Sequence, residues 1–167
     1  MFEESTPHGT SPTLLFLCTG NYYRSRFAEF YFRHLAERHQ LAWHVESRGL
    51  EPHDTNPGEL SRHTIAECER LGVSFAPLRM PLALQADDLR RATRVIAVKE
   101  AEHRPLMQRL FAEWVDRIEY WHIHDLDVSE PVETLATLRA HVEEVIRQLL
   151  ECDTTTSPQT GVAGDDT

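Results

Sequence analysis

The chain has 167 residues, 41% of them hydrophobic and 26% charged, with 17 Lys and Arg against 27 Asp and Glu for a formal net charge of −10. That composition excludes wholesale disorder, and the acidic balance argues against broad binding to nucleic acid or to an anionic membrane, which needs a concentrated basic face. No apolar stretch approaches the roughly 18 residues of a membrane span, and Met1 to Pro12 lacks the basic and apolar regions of a secretion signal, so a cytoplasmic protein is expected.

Residues 1–12 read as a flexible segment, 13–152 as a single domain, and 153–167, small and polar with almost nothing to bury, as a disordered tail. Glu3, Glu4, Asp153, Asp165 and Asp166 lie in ends without Lys or Arg, so the folded part is only mildly acidic. Cys18, Cys68 and Cys152 are too few and too scattered for a disulfide framework or a Cys-based zinc site, and at least one thiol is expected to be free.

Leu14 to Leu17 form a short apolar run that suits a strand buried on both faces. After a Gly-containing turn, Phe27, Ala28, Phe30, Tyr31, His34, Leu35 and Arg38 keep helical spacing, with the apolar members on one side. Val45 continues a second strand, and Glu51 to Gly58 is a concentrated turn signal. Glu59 to Leu71 reads as a helix stopped by Gly72. Asp87 to Arg91 reads as a short helix, Val95 to Val98 as a strand, Glu100 to Phe111 as a helix, Arg117 to Ile123 as a strand and Pro131 to Leu150 as a final amphipathic helix. Strands alternating with helices predict a parallel sheet covered on both faces, with ligands beyond the C-terminal ends of the strands, where Cys18 falls.

Between the first strand and the first helix stands Cys18-Thr-Gly-Asn-Tyr-Tyr-Arg24-Ser25, a Cys and an Arg separated by five residues. A loop wrapped over a helix N-terminus aims backbone N–H groups at one point, where the helix dipole adds positive potential; that is an anion cradle. Gly20 and Asn21 are the residue types best able to take the left-handed conformation such a loop requires. Arg24 would supply two parallel hydrogen bonds to phosphate oxygens, and Cys18 at the centre becomes a nucleophile in the manner of other activated cysteines.

The segment LLFLCTGNYYRSRFAEF resembles the low-molecular-weight protein tyrosine phosphatases, whose signature is an apolar strand, C-x-G-N-x-C-R-S and then P-x-A-E. Cys18, Gly20, Asn21, Arg24, Ser25, Ala28 and Glu29 match, and a weaker likeness runs through Ser47-Arg48-Gly49, Leu71-Gly72-Val73 and Asp87-Asp88-Leu89 to the last helix. The resemblance implies a three-layer α/β fold, a four-stranded parallel sheet flanked by helices with a phosphate-binding loop after the first strand. It implies that Cys18 attacks phosphorus and forms a phosphocysteine, that Arg24 binds the equatorial oxygens, and that Ser25 helps the thiolate leave. Asn21 would hold the loop, supported by Ser47, with Thr19, Tyr22 and Tyr23 completing it around inorganic phosphate or another oxyanion. The substrate implied is a phosphorylated protein or a small aryl phosphate, with no metal or other cofactor and no nucleic-acid or membrane partner.

Expelling the leaving oxygen needs a proton donor, and hydrolysing the intermediate needs a base; one carboxyl serves both. The family places this Asp between the last strand and last helix, where Asp125 matches best and Asp127 is the rival. His122 and His124 also invite a metal-site reading, but without a third ligand at defined spacing they read as surface histidines. Several family features are absent. The second loop cysteine is Tyr23, which excludes a disulfide to the nucleophile through that position. The Pro after R-S is Arg26, read as a solvated first-turn residue or a charge near the pocket. The aromatic pocket walls correspond to Leu126 and Asp127, leaving Tyr22 either to wall the pocket or to pack sideways. The loop-supporting His and the Asp after the fourth strand fall at Pro77 and Lys99, and relatives acting on phosphoarginine carry Thr where Tyr22 stands. The arsenate reductases of the same fold need two further cysteines after the third strand, which residues 73–100 lack. The competing class is a catalytically weak phosphate-binding or regulatory module.

Overall fold

Side-chain parity along the first strand decides which residues fill which layer. In a computed structural model describing residues 11–125 and 129–156, β1 (Thr13–Cys18) lies between β2 (His44–Gly49) and β3 (Arg94–Ala97), with β4 (Glu119–Tyr120) beyond β3. Every pairing is parallel, with Phe16 in register with Ser47 on one side and Ile96 on the other. Successive residues of a strand point to opposite faces. Leu14 and Phe16 accordingly pack with Phe27 and Phe30 of α1 (Arg24–Arg38) and Leu138 and Val142 of α5 (Pro131–Thr156). Leu15 and Leu17 pack on the other face with Leu89 of α3 (Ala86–Arg91) and Met107 of α4 (Glu100–Leu110). β1 is thus hydrogen-bonded on both edges and covered on both faces, which is why its apolar run is unbroken. The architecture is the three-layer α/β sheet expected from the sequence.

The element boundaries differ from the sequence reading for local reasons. The helix α2 (Arg62–Leu71) starts three residues later than expected, because Ser61 caps it by accepting from the His63 N–H at 3.2 Å, while its own N–H donates to the Tyr22 carbonyl at 3.0 Å. Its stop is the expected one, with Gly72 left-handed at φ 68°. The last strand has only two ladder residues, although Trp121 and Ile123 continue to donate N–H bonds to Ala97 and Val98. The final helix runs on to Thr156, so the first four residues of the segment read as a tail belong to α5. Extending a formed helix adds one bond per residue fixed, which outweighs the polar composition there. Residues 1–10 and 157–167 lie outside the described residues.

Phe16 is fully buried at the centre, with the ring centroids of Phe32 and Trp121 at 6.3 and 5.6 Å. Phe16→Ala is expected to lower the unfolding free energy by about 3–5 kcal/mol in urea denaturation; a loss under about 1 kcal/mol would remove it from the core.

Candidate active site

The chain leaves β1 to build β2 on one side and later β3 on the other, so the strand order reverses beside β1. A crevice opens at the carboxyl ends of strands at such a point. Cys18 ends β1 there, and Arg24 and Ser25 open α1 after a five-residue loop. Asn21 is left-handed, at φ 50°, and its N–H donates to Cys18 Sγ at 3.3 Å. Gly20, expected to share that conformation, does not: among the described residues the positive-φ glycines are Gly58 and Gly72. The glycine the loop requires is Gly49 at the end of β2. A Cβ there would stand 2.9 Å from the Thr19 carbonyl oxygen and 3.0 Å from Asn21 Cβ. That close approach lets Leu50 and Glu51 donate backbone bonds to the Cys18 and Thr19 carbonyls, both at 2.9 Å.

The side chains around the sulfur form one network. Ser25 Oγ lies 2.9 Å from Cys18 Sγ. Asn21 Nδ2 donates to Ser25 Oγ and to Ser47 Oγ, each at 2.9 Å, and Ser47 donates to Glu29 Oε1 at 2.7 Å. Asn21 Oδ1 accepts from Arg79 Nη1 at 2.9 Å and from the Leu82 N–H at 3.1 Å. Support for the loop therefore comes from Arg79, two residues beyond Pro77, which stands where the family's supporting His aligns. Burial and the charge of Arg26 push the Arg79 guanidinium down to about 10, against the pull of Glu29.

Arg24 is almost completely buried and is held by three acceptors. Nη1 donates to the Ile123 carbonyl at 3.0 Å, and Nη2 donates to Glu102 Oε1 at 3.0 Å and to Asp125 Oδ2 at 3.1 Å. Burial alone would weaken its charge, but Cys18, Glu102 and Asp125 outweigh burial and raise its pKa. Lys99 stands where the family's Asp aligns, and a carboxylate beside Arg24 comes instead from Glu102, in the first turn of α4. Burial pushes the Glu102 carboxyl up, yet bonds from His103, Arg24 and Thr19 hold it well below the usual carboxylate range.

A cavity of about 470 Å³ opens above the sulfur, lined by Cys18, Tyr22, Arg24, His53, Glu102 and Asp125 among others. Tyr22 contributes to its wall, and its hydroxyl donates to the Pro57 carbonyl at 3.0 Å. Tyr23 also lines the cavity. Burial, then the Asp125 charge, push its hydroxyl up to about 12.

Other expectations resolve differently. Arg26 is neither solvated nor at the pocket: it is 1% exposed, 2.7 Å from Glu29 and 4.5 Å above the Phe30 ring. The carboxylate takes one of its hydrogen bonds and the ring covers one face, while Nε and Nη2 stay buried without a partner among the described residues. Asp127 lies outside the described residues, as does Leu126. His122 and His124 are exposed, and among the described residues no three His, Cys, Asp or Glu side chains form a metal-holding group. The sequence reading missed Arg79, Glu102, His103 and His53. Glu102 and His103 follow β3 at the carboxyl end of the sheet, a position that marks the site's neighbourhood without singling out either residue.

Glu102 carries a linked pH dependence. A carboxyl with a depressed folded-state pKa contributes stability above its unfolded pKa and loses that contribution as pH falls toward the folded value. Glu102→Gln is expected to cost about 1–3 kcal/mol at pH 7, with the gap to the parent closing below about pH 4 in denaturant titrations. A pH-independent gap would contradict this.

Residues 13–157 match the family model described as low molecular weight phosphotyrosine protein phosphatase. A protein-arginine-phosphatase of Bacillus subtilis (strain 168) is 25% identical over 144 residues, covering 81% of this chain and 93% of the relative. Among solved structures, a low molecular weight protein tyrosine phosphatase from T. tengcongensis superposes with a TM-score of 0.70 at 22% identity, over 83% of this chain and 99% of that one. A low molecular weight phosphotyrosine phosphatase from Vibrio cholerae O395 gives 0.72 at 15% identity, over 84% and 98%. Those two share the fold; the match along nearly the whole described chain supplies the kinship. The chain belongs to the low molecular weight phosphotyrosine protein phosphatase family, and its activity is that of a phosphatase.

Proposed function

We propose that the chain hydrolyses phosphomonoesters through a phosphocysteine on Cys18, with aryl phosphates, protein phosphotyrosine among them, as its substrates. The observation that carries the reading is the sulfur at the cavity floor, 2.9 Å from Ser25 Oγ, with the immobilised Arg24 beside it and Asp125 at the rim. In the first step the Cys18 thiolate attacks phosphorus, the bond from phosphorus to the leaving oxygen breaks, and that oxygen takes a proton from the Asp125 carboxyl. In the second, the Asp125 carboxylate takes a proton from water, whose oxygen attacks phosphorus. The S–P bond then breaks and Ser25 stabilises the departing sulfur. Arg24 and the loop stabilise charge on the equatorial oxygens, the largest contribution a protein makes to phosphoryl transfer.

We place the protein in the cytoplasm, a setting that suits its three free cysteines. The aryl preference rests on Tyr22, whose backbone carbonyl is bound by Ser61 and whose hydroxyl is bound to Pro57, so that it forms a fixed wall. A phosphoarginine substrate is the second reading. It is favoured by the two carboxylates at the rim, Glu102 and Asp125, which would suit a cationic leaving group, and by the name of the Bacillus relative.

With p-nitrophenyl phosphate and EDTA, Cys18→Ser is expected to abolish hydrolysis. Asp125→Asn is expected to lower kcat by about two decades or more for an ester with a poor leaving group. A well-folded but inactive parent would favour the phosphate-binding module, and a silent Asp125→Asn would move the acid elsewhere. Tyr22→Ala is expected to raise KM for the aryl ester about fivefold, the worth of about 1 kcal/mol of ring stacking, while leaving KM for β-glycerophosphate unchanged. Faster turnover of phosphoarginine than of phosphotyrosine peptides would instead support the second reading.

A further inference from the structure

Thr19 follows the nucleophile directly, yet its hydroxyl is committed to two side chains in the first turn of α4. It bonds Glu102 Oε1 at 2.5 Å and His103 Nε2 at 3.2 Å. The direction of each bond is forced from one end. The Lys99 N–H donates to His103 Nδ1 at 3.0 Å, so Nδ1 must present a lone pair, and a neutral ring then carries its proton on Nε2. That Nε2–H donates to Thr19 Oγ1, the nearer of its two acceptors, with Glu102 Oε1 3.5 Å away, which leaves the hydroxyl hydrogen to Glu102 Oε1. The same carboxylate oxygen accepts from Arg24 Nη2 at 3.0 Å. His103 is fully buried, and burial, reinforced by the Arg24 charge, lowers its pKa from the ordinary imidazole value, in keeping with the neutral ring this arrangement needs.

We propose that His103 is a positioning residue of the phosphate site: by orienting the Thr19 hydroxyl it fixes the Glu102 carboxylate, and the carboxylate in turn fixes the guanidinium that receives the phosphoryl oxygens. His103 is not among the residues lining the cavity, so its effect travels through Thr19 and Glu102. The chain of contacts matters because Glu102 is 28% exposed, and without the Thr19 donor its carboxylate is free to turn toward water and leave Arg24 Nη2 without that acceptor. Misplacing a charged ligand by about 1 Å weakens every interaction it makes with the reacting group. The arrangement also couples the loop to the start of α4, since the bond that sets the His103 tautomer comes from the residue preceding that helix.

The inference rests on the reading of Arg24 as the oxyanion ligand, and its test separates the two. The full chain is titrated calorimetrically with inorganic phosphate, and hydrolysis of p-nitrophenyl phosphate is followed in parallel. His103→Leu and Thr19→Val are each expected to weaken phosphate binding by about five- to tenfold, and the double variant to be no weaker than the worse single one. His103→Gln, which keeps an N–H donor toward Thr19, is expected to recover binding to within about twofold of the parent. Thr19→Val is nearly isosteric and keeps the test intact should His103→Leu fail to fold. Parent-like binding by Thr19→Val, additive losses in the double variant, or no recovery in His103→Gln would overturn the proposal. A parent that binds phosphate without hydrolysing the ester would sink the hydrolase reading and leave the positioning role standing. Active variants with unaltered phosphate affinity would do the opposite.

Discussion

The polarity of the site is set by one buried amide. Asn21 has no exposed surface, and both ends of its side chain are fully engaged. Its oxygen faces two donors that cannot reverse, the Arg79 guanidinium and the Leu82 N–H. Turning the amide over would set N–H against N–H twice, so its nitrogen must point at Ser25 and Ser47. Each serine oxygen, occupied by an incoming hydrogen, sends its own hydrogen onward. For Ser47 the acceptor is the Glu29 carboxylate. Ser25 Oγ stands 2.9 Å from the sulfur of Cys18, which accepts its hydrogen once that sulfur is a thiolate. The hydroxyl beside the Cys18 sulfur is thereby positioned by a guanidinium 58 residues distant from Asn21 in sequence. The left-handed backbone of Asn21 serves the same end, bringing its N–H to the sulfur while its side chain reaches back into the protein.

Behind the loop the charges do not balance. Glu29 meets Arg26 at 2.7 Å and Arg79 at 3.5 Å, one carboxylate for two guanidinium groups, and Arg26 is 1% exposed. Among the described residues, its Nε and Nη2 are buried without a hydrogen-bond partner. An uncompensated buried donor costs roughly 1–3 kcal/mol, so this cluster cannot be explained as a device for stability. Its location offers a better account. The cluster touches the loop through Ser47 and Asn21, and surplus positive charge there adds to the potential at the proposed phosphate site. Local conflicts of this kind are expected where function constrains the sequence, and the two apolar layers against β1 supply the stability that tolerates them.

The parts legible in the sequence were those whose cause is local. An apolar run bounded by a turn gave β1, and a left-handed glycine gave the end of α2. The spacing of Cys18 to Arg24, set between a strand and a helix, gave the loop. Asn21 was legible because few residue types tolerate its conformation, while Gly20 shows that composition alone over-assigns it: a Cβ there would meet only Asn56 Nδ2 at 3.5 Å and Tyr22 Cβ at 3.8 Å. What was not legible is what the fold brings from afar. Glu102 and His103 meet Thr19 across 83 and 84 residues, and nothing around them distinguishes a buried network from an ordinary helix start. Arg26 was misread for the opposite reason. A charged residue in a first helical turn is usually solvated, and only the packing of Phe30 and Glu29 against it reveals otherwise.

The resting contacts of Arg24 bear on how the proposed reaction would begin. Nη2 directs its hydrogens at Glu102 and Asp125, and Nη1 directs one at the Ile123 carbonyl. A phosphoryl group seeking two parallel bonds must displace one of these acceptors. The Ile123 carbonyl belongs to a backbone segment hydrogen-bonded to Val98, and Glu102 is also bound by Thr19. Of the two carboxylates Asp125 has the more exposed side chain, 41% against 28%, and is the one the proposed mechanism moves. On the proposed mechanism its release from Arg24 and its arrival at the leaving oxygen are then one motion. In that motion the carboxylate, its place on the guanidinium taken by an oxyanion, takes up a proton from solvent, which it then delivers to the leaving oxygen.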